Sequence, residues 1–124
     1  MQNYNSKFKS DLKDRCFKFS IQIITLVDSL PNKRAAWVIA DQLIRSATSI
    51  GANLIKARAS SSRLEFKKFY EIALKSANET KYWLELLSAC GLADKEKVGI
   101  LTREVVEIAN MLATGVMKLK DRKF

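Results

Sequence analysis

The chain predicts an all-α fold, an antiparallel up-down-up-down bundle of four helices, on three observations. Its 124 residues are 48% hydrophobic yet include only one Pro and four Gly, and a sandwich or barrel needs turn residues every ten positions or so. Apolar residues recur at three- and four-residue spacing along four stretches. The breaks between those stretches, at Pro31-Asn32, Ser60-Ser61-Ser62 and Gly91, are short, which favours sequential helices lying alongside one another.

The first helix is read from about Asp11 to Ser29. Phe19, Ile23, Leu26 and Leu30 form one stripe, and Phe17, Ile21 and Ile24 form a second beside it. Lys18, Gln22, Thr25 and Ser29 supply the polar side, and Pro31 with Asn32 ends the element. The second helix, about Arg34 to Ala59, repeats Ala36, Ala40, Leu43, Ala47, Ile50 and Leu54, with Trp37, Ile44, Gly51 and Ile55 on the adjoining strip. Its alanines and Gly51 are read as letting a neighbouring helix approach closely, which offsets the roughly 1 kcal/mol that an interior glycine costs.

Ser62 and Glu65 have the spacing of a capping box and place the third helix start in the serine run. From Phe66 through Tyr70, Ala73, Ala77, Thr80, Leu84 and Leu87 the four-three spacing is strict, and Gly91 is the expected stop. Phe69, Ile72, Trp83 and Leu86 flank that line. Glu71 with Lys75 and Lys81 with Glu85 are expected as exposed pairs worth a few tenths of a kcal/mol. Asp94 is placed to cap the fourth helix, whose stripe is Val98, Leu101, Val105, Ile108, Leu112, Gly115 and Leu119, with Ala109 and Val116 beside it. One domain follows: a bundle over residues 11–119 between a flexible basic tail at 1–10 and a basic tail at 120–124.

The second helix also carries an unusual polar strip. Gln42, Arg45, Ser46, Ser49 and Asn53 are mostly short side chains that compete with the helical backbone for hydrogen bonds, whereas a solvated helix face favours Lys, Glu and Gln. The strip is read as a hydrogen-bonded contact between subunits or helices, with Arg45 paired to Asp41, Glu79 or a neighbour's carboxylate. The alternative is the lining of a channel. Trp37 and Trp83 join it as assembly residues, because one 124-residue bundle has limited interior to hide them together with Phe17 and Phe69.

The pattern Arg45-Ser46-x-x-Ser49-Ile50-x-x-Asn53, with Leu26-Val27 and Leu30-Pro31 before it and Ser62-Arg63-Leu64-Glu65-Phe66, Ile72-Ala73-Leu74-Lys75 and Glu79-Thr80-Lys81-Tyr82-Trp83-Leu84-Glu85-Leu86-Leu87 after it, carries a resemblance. From about Phe17 to Leu92 the chain resembles the bacterial four-helix-bundle family first noted as products of intervening sequences inside 23S ribosomal RNA genes. The resemblance implies a closed ring of five bundles. Similar ring proteins serve as accessory factors for reverse transcription, so it also implies a nucleoprotein-accessory role. Where such sequences commonly place an acidic residue, this chain has Lys56, so a function leaning on a carboxylate there is not expected.

Net charge is +9, and alternating helix direction gathers it. The start of the first helix, the end of the second, the start of the third and the end of the fourth meet at one end. That end collects Lys7, Lys9, Lys13, Arg15, Lys18, Lys56, Arg58, Arg63, Lys67, Lys68, Lys118, Lys120, Arg122 and Lys123, fourteen of the 22 basic residues, against Asp11, Asp14, Glu65 and Asp121. Each lysine singly can serve solubility or a helix dipole. Together they point to a polyanion, structured RNA or a nucleoprotein, bound through released counterions. Contact is assigned to Lys56, Arg58, Arg63, Lys67, Lys68, Lys118, Lys120, Arg122 and Lys123, with Arg58, Arg63, Lys67 and Lys68 the first choices and Ser60 to Ser62 as hydrogen-bond donors to phosphate. No base-reading motif is present, so shape and charge recognition is expected.

The chain has no histidine, which removes the commonest general base and metal ligand. No phosphate loop, zinc-spaced cysteine pair or di-metal motif occurs, so no catalytic residue, metal or cofactor is assigned. Glu71, Glu79 and Glu107 are read as surface ion-pairing groups. Cys16 and Cys90 are too few for a disulfide framework and are read as small core residues. No run of eighteen uncharged apolar residues exists, and the segment from Met1 to Lys18 lacks the apolar centre of a secretory signal, so a cytoplasmic protein away from the membrane is expected. The competing reading is a structural adaptor that binds another protein and no nucleic acid.

Overall fold

The computed structural model describes residues 4–121, with side chains from 11 to 120. Four helices, α1 (Tyr4–Asp28), α2 (Arg34–Arg58), α3 (Arg63–Ala89) and α4 (Lys95–Asp121), make up the chain, with no strand among the described residues. They pack in the cyclic order α1 on α2, α2 on α3, α3 on α4 and α4 on α1.

The ends follow the side chains that local physics needs there. At the start of α3 the Glu65 N–H donates to Ser62 Oγ at 3.1 Å, and the Glu65 carboxylate accepts from the Ser61 N–H at 3.3 Å. The first bond satisfies a backbone donor that the helix start leaves without a partner, and the second ties the Glu65 side chain back to the residue before the cap. At its end Gly91 takes φ 69°, the left-handed conformation that favours glycine. The Leu92 N–H then reaches Leu87 O at 3.0 Å and the Gly91 N–H reaches Ser88 O at 3.1 Å, a Schellman closure that turns Leu92 back onto the core. Asp94 Oδ1 accepts from the Glu96 N–H at 2.9 Å and so caps α4.

The boundary of α1 differs from expectation. It begins at Tyr4, inside the segment read as a flexible tail, and α4 likewise runs on to Asp121. Nothing between Met1 and Leu30 is Gly or Pro, so no residue stops the helix at Asp11. Leu12 and Cys16 extend the Phe19 stripe by one turn each and are buried with it.

The core is formed by the expected stripes: Phe19, Ile23, Leu43, Ala47, Ile50, Ala73, Leu84, Leu87, Val105, Ile108 and Leu112 are all buried to within 1% of full coverage. On α4 the line closes through Val116, which is buried, while Gly115 and Leu119 are half-buried flanks. Of the second stripes, that of α3 belongs mainly to this chain's own packing, since Phe69, Ile72, Trp83 and Leu86 are half-buried. Those of α1 and α2 do not: Phe17 is 69% exposed and Trp37 59%, with Ile21, Ile24 and Ile55 also exposed.

Two glycines differ in what they permit. A Cβ on Gly51 would meet Cys16 Cβ at 3.5 Å, an ordinary contact, so the close approach expected there leaves room for a methyl. On Gly115 it would lie 2.8 Å from Tyr70 Cε2 and force the ring to move. In urea unfolding, Gly51→Ala is expected to stabilise by about 0.5 to 1 kcal/mol, as alanine does in a helix interior. Gly115→Ala is expected to destabilise by about 1 to 2 kcal/mol through overpacking.

The cysteines separate. Cys16 is buried, but Cys90, read as a core residue, is exposed at the end of α3, because the helix has reached its cap and no stripe remains to be covered. Burial pushes the Cys16 thiol up to about 12, aided by the Glu104 carboxylate and opposed by Arg15. A thiol reagent is therefore expected to label one cysteine per native chain, Cys90, and the second only on unfolding. An unfolded thiol ionises near 9.0. The Cys16 contribution to stability is thus constant below that pH and is lost as pH rises toward 12.

Candidate nucleic-acid interface

The end of α2, the serine loop and the start of α3 meet the end of α4 around one open concavity. Ala57, Arg58, Ser60, Ser61, Ser62, Arg63, Phe66 and Leu119 line it. Loop length decides this: four residues between Arg58 and Arg63 let the chain reverse without leaving the surface. Arg58 is exposed at the rim and Arg63 is half-buried. Burial raises the Tyr70 hydroxyl pKa, and the nearby Arg58 charge opposes that rise.

The other basic residues fall unevenly around this site. Lys56, Lys68, Lys118 and Lys120 are exposed, and Lys67 is half-buried on the first turns of α3. Lys118 and Lys120 flank Leu119, which puts the end of α4 beside Arg58 and Arg63. Arg122 and Lys123 lie outside the described residues, as do the side chains of Lys7 and Lys9.

Arg15, counted with the basic end, is instead committed to α4. Its guanidinium donates to Glu104 at 3.0 and 2.6 Å and pairs with Glu107 as well. Those bonds raise its pKa, so it stays charged at every accessible pH while its charge is locally compensated. The sequence offers no periodic signal for this pair, because it joins residues 89 and 92 positions apart.

Two of the serine hydroxyls already serve the fold. Ser62 accepts the Glu65 N–H as a cap, and Ser60 Oγ donates to Ala57 O. The Glu65 carboxylate already occupies the electropositive helix start.

The polar strip on α2 sits between helices of this chain. The Ser46 and Thr80 hydroxyls share a buried bond of 2.9 Å, Ser76 Oγ donates to Ser49 Oγ at 2.9 Å, and Asn53 Nδ2 donates to Ser49 Oγ at 2.9 Å and Ser49 O at 2.8 Å. Short hydroxyls let α2 and α3 approach while pairing each other's polar atoms. Ser46 and Asn53 are buried within the chain, so for them the contact is the one between helices, and neither a subunit contact nor a channel lining. Arg45 continues the strip outward, donating to Gln42 at 3.1 and 2.8 Å and pairing with Glu79, one of the three partners expected for it. Trp83 Nε1 donates to that same Glu79 at 2.8 Å, which ties Trp83 into the chain's own fold. Trp37 alone of the two tryptophans stands out in solvent. Thr80 and Ser76 were missed as partners, although Thr80 stands in a core stripe where a hydroxyl requires a mate.

Of the carboxylates read as ion-pairing groups, Glu79 and Glu107 are paired, and Lys81 lies 3.8 Å from Glu85. Among the described residues Glu71 and Lys75 make no such contact. No group of three His, Cys, Asp or Glu converges among them, and none of their helices is long and apolar enough to cross a membrane.

Comparison with known families matches residues 9–114 to the model described as 23S rRNA-intervening sequence protein. The match runs beyond the resemblance read from Phe17 to Leu92 at both ends. A crystal structure from Bacteroides thetaiotaomicron, of a protein with unknown function from the S23 ribosomal protein family, is similar at 37% identity and a TM-score of 0.80. The alignment covers 85% of this chain and 97% of that one. Comparison with curated proteins gives no match.

Proposed function

We propose a function from one premise: the chain belongs to the family of 23S rRNA-intervening sequence proteins. It is a non-catalytic cytoplasmic protein that assembles with copies of itself, as a ring of five, and binds structured RNA or a nucleoprotein electrostatically through a basic end. No metal or cofactor takes part.

The observation that carries this reading is the concavity shared by Arg58, Arg63 and Leu119, which draws basic stretches from α2, α3 and α4 to one place. An antiparallel order of helices explains it, and contact register supports that order. Along α2 and α3, Ser46 meets Thr80 while Ser49 meets Ser76. Arg15 meets Glu104 and Glu107, whereas Ile21 to Ser29 adjoin Lys97 to Leu101. Tyr70 lies against Gly115, whereas Lys81 to Ala89 adjoin Val98 to Arg103. In each pair one number rises as the other falls.

So much like charge on one face is costly in self-repulsion unless an anionic partner or counterions gather there. Lys56 adds to the excess where an acid would subtract from it. Phosphate contacts release condensed counterions, so affinity depends steeply on salt. Five such contacts give a slope of log affinity on log salt of about −4 on RNA or DNA. Titrating structured RNA at several salt concentrations tests this, and absence of binding even at low salt would leave the adaptor reading. That second reading draws on the exposed Phe17, Trp37 and Ile55, a surface for protein contact in either case.

A further inference from the structure

We infer that the concavity between Arg58, Arg63, Phe66 and Leu119 is a subsite for one unpaired nucleotide, its base against Phe66 and its phosphate on the two arginines. The inference rests on the proposed basic RNA-binding end and names what that end selects.

The lining is mixed in a way that phosphate alone does not call for. Its apolar part is Ala57, Phe66 and Leu119, and its polar part is Arg58 and Arg63 with the serine loop. A phosphate of a duplex gains nothing from a phenyl ring or a leucine. A base with its faces free does, since every base has a π-face and stacks on aromatic side chains with little regard to sequence. In a duplex those faces are hidden. The concavity is shallow and open to solvent, so a base would lie against its wall with one face covered rather than be enclosed.

The ring is held from the core outward. Gly115 leaves room for Tyr70, whose ring comes so close that even a methyl there would collide with it. Phe66 stacks on Tyr70 with centroids 5.0 Å apart and planes 21° from parallel. One side of Phe66 is thus occupied by a fixed neighbour, and the residue lines the concavity from a set position. A platform ordered before binding spends little conformational entropy on its ligand. The Glu65 carboxylate, bonded to the Ser61 N–H, keeps an anion off the start of α3 and leaves phosphate to the arginines.

The test compares a hairpin RNA carrying an unpaired loop with a blunt duplex of equal phosphate number, by fluorescence anisotropy at low salt. Phe66→Leu keeps apolar bulk and removes the π-face. It is expected to weaken hairpin binding about tenfold while leaving duplex binding and the salt slope unchanged. Phe66→Trp is expected to restore hairpin affinity and to show emission quenched by the hairpin beyond that of the wild type, but not by the duplex. Equal hairpin affinity for Phe66→Leu and wild type, with Lys118→Gln/Lys120→Gln weakening both RNAs, would overturn the subsite and leave the basic end standing. Failure of the wild type to bind either RNA at low salt would overturn both. If Phe66→Leu melts too low to assay, Phe66→Trp decides alone, and unquenched emission refutes the inference.

Discussion

Replacing Arg63, Lys67 and Lys68 together with glutamine is expected to lower affinity for structured RNA by about two orders of magnitude near 0.1 M salt. The same change should flatten the salt dependence by two to three in slope, because each lost phosphate contact removes close to one released counterion. The helix should survive: glutamine is nearly as good a helix former as lysine or arginine. Lys68 is exposed and Lys67 half-buried, so neither is part of the core. Arg63 contributes both charge and packing, so its replacement is compared with Arg58→Gln, at an exposed position, to separate the two. Arg15→Gln is the informative control. It removes one positive charge, as each of those replacements does, but one already compensated by Glu104 and Glu107, so it should leave RNA affinity nearly unchanged while costing stability on α1. A triple variant that binds as the wild type does, at an unchanged slope, would place the contact surface elsewhere.

The reason the charge distribution was partly legible and partly not lies in sequence separation. Helix periodicity is a local property, so Phe19, Leu43, Ala77 and Ile108 announce the core from three- and four-residue spacing alone. Caps are local too, and Ser62, Gly91 and Asp94 all act where their types suggest. The family pattern around Arg45 and Asn53 was equally readable. Pairings between helices are not local. That Arg15 falls against Glu104 rather than joining the basic end depends on the rotation of α1 about its own axis, which no spacing rule supplies. The polar strip is legible in the same partial way: its composition marks a contact between subunits or helices, but only the position of Thr80 and Ser76 opposite Ser46 and Ser49 shows that it joins two helices of this chain. The start of α1 was missed because charge and polarity were read as a tail, although neither breaks a helix.

Exchange of Phe17 and Trp37 for serine is expected to dissociate the particle into single chains while leaving helix content unchanged. The two residues are 69% and 59% exposed in the chain, so they add little to its own core, and their loss should hardly move the unfolding midpoint of a monomer. Their placement favours a shared contact. Phe17, Ile21 and Ile24 follow one another at four and three residues on α1, and Trp37, Ile44 and Ile55 share one side of α2 at seven and eleven. Each row therefore runs along its helix as a strip beside the covered core line. Burying one such side chain contributes roughly 1.5 to 3 kcal/mol, so losing two at each contact weakens association by about 10² to 10⁴-fold. Tyr82→Ser supplies the contrast, since that ring packs edge-on against Trp83 on α3 and is not in either strip. Sedimentation or native mass spectrometry reads the outcome directly. Wild-type protein that is monomeric at micromolar concentration would remove the assembly from the proposal, and with it the extended cationic face that five copies of one basic end would present to RNA.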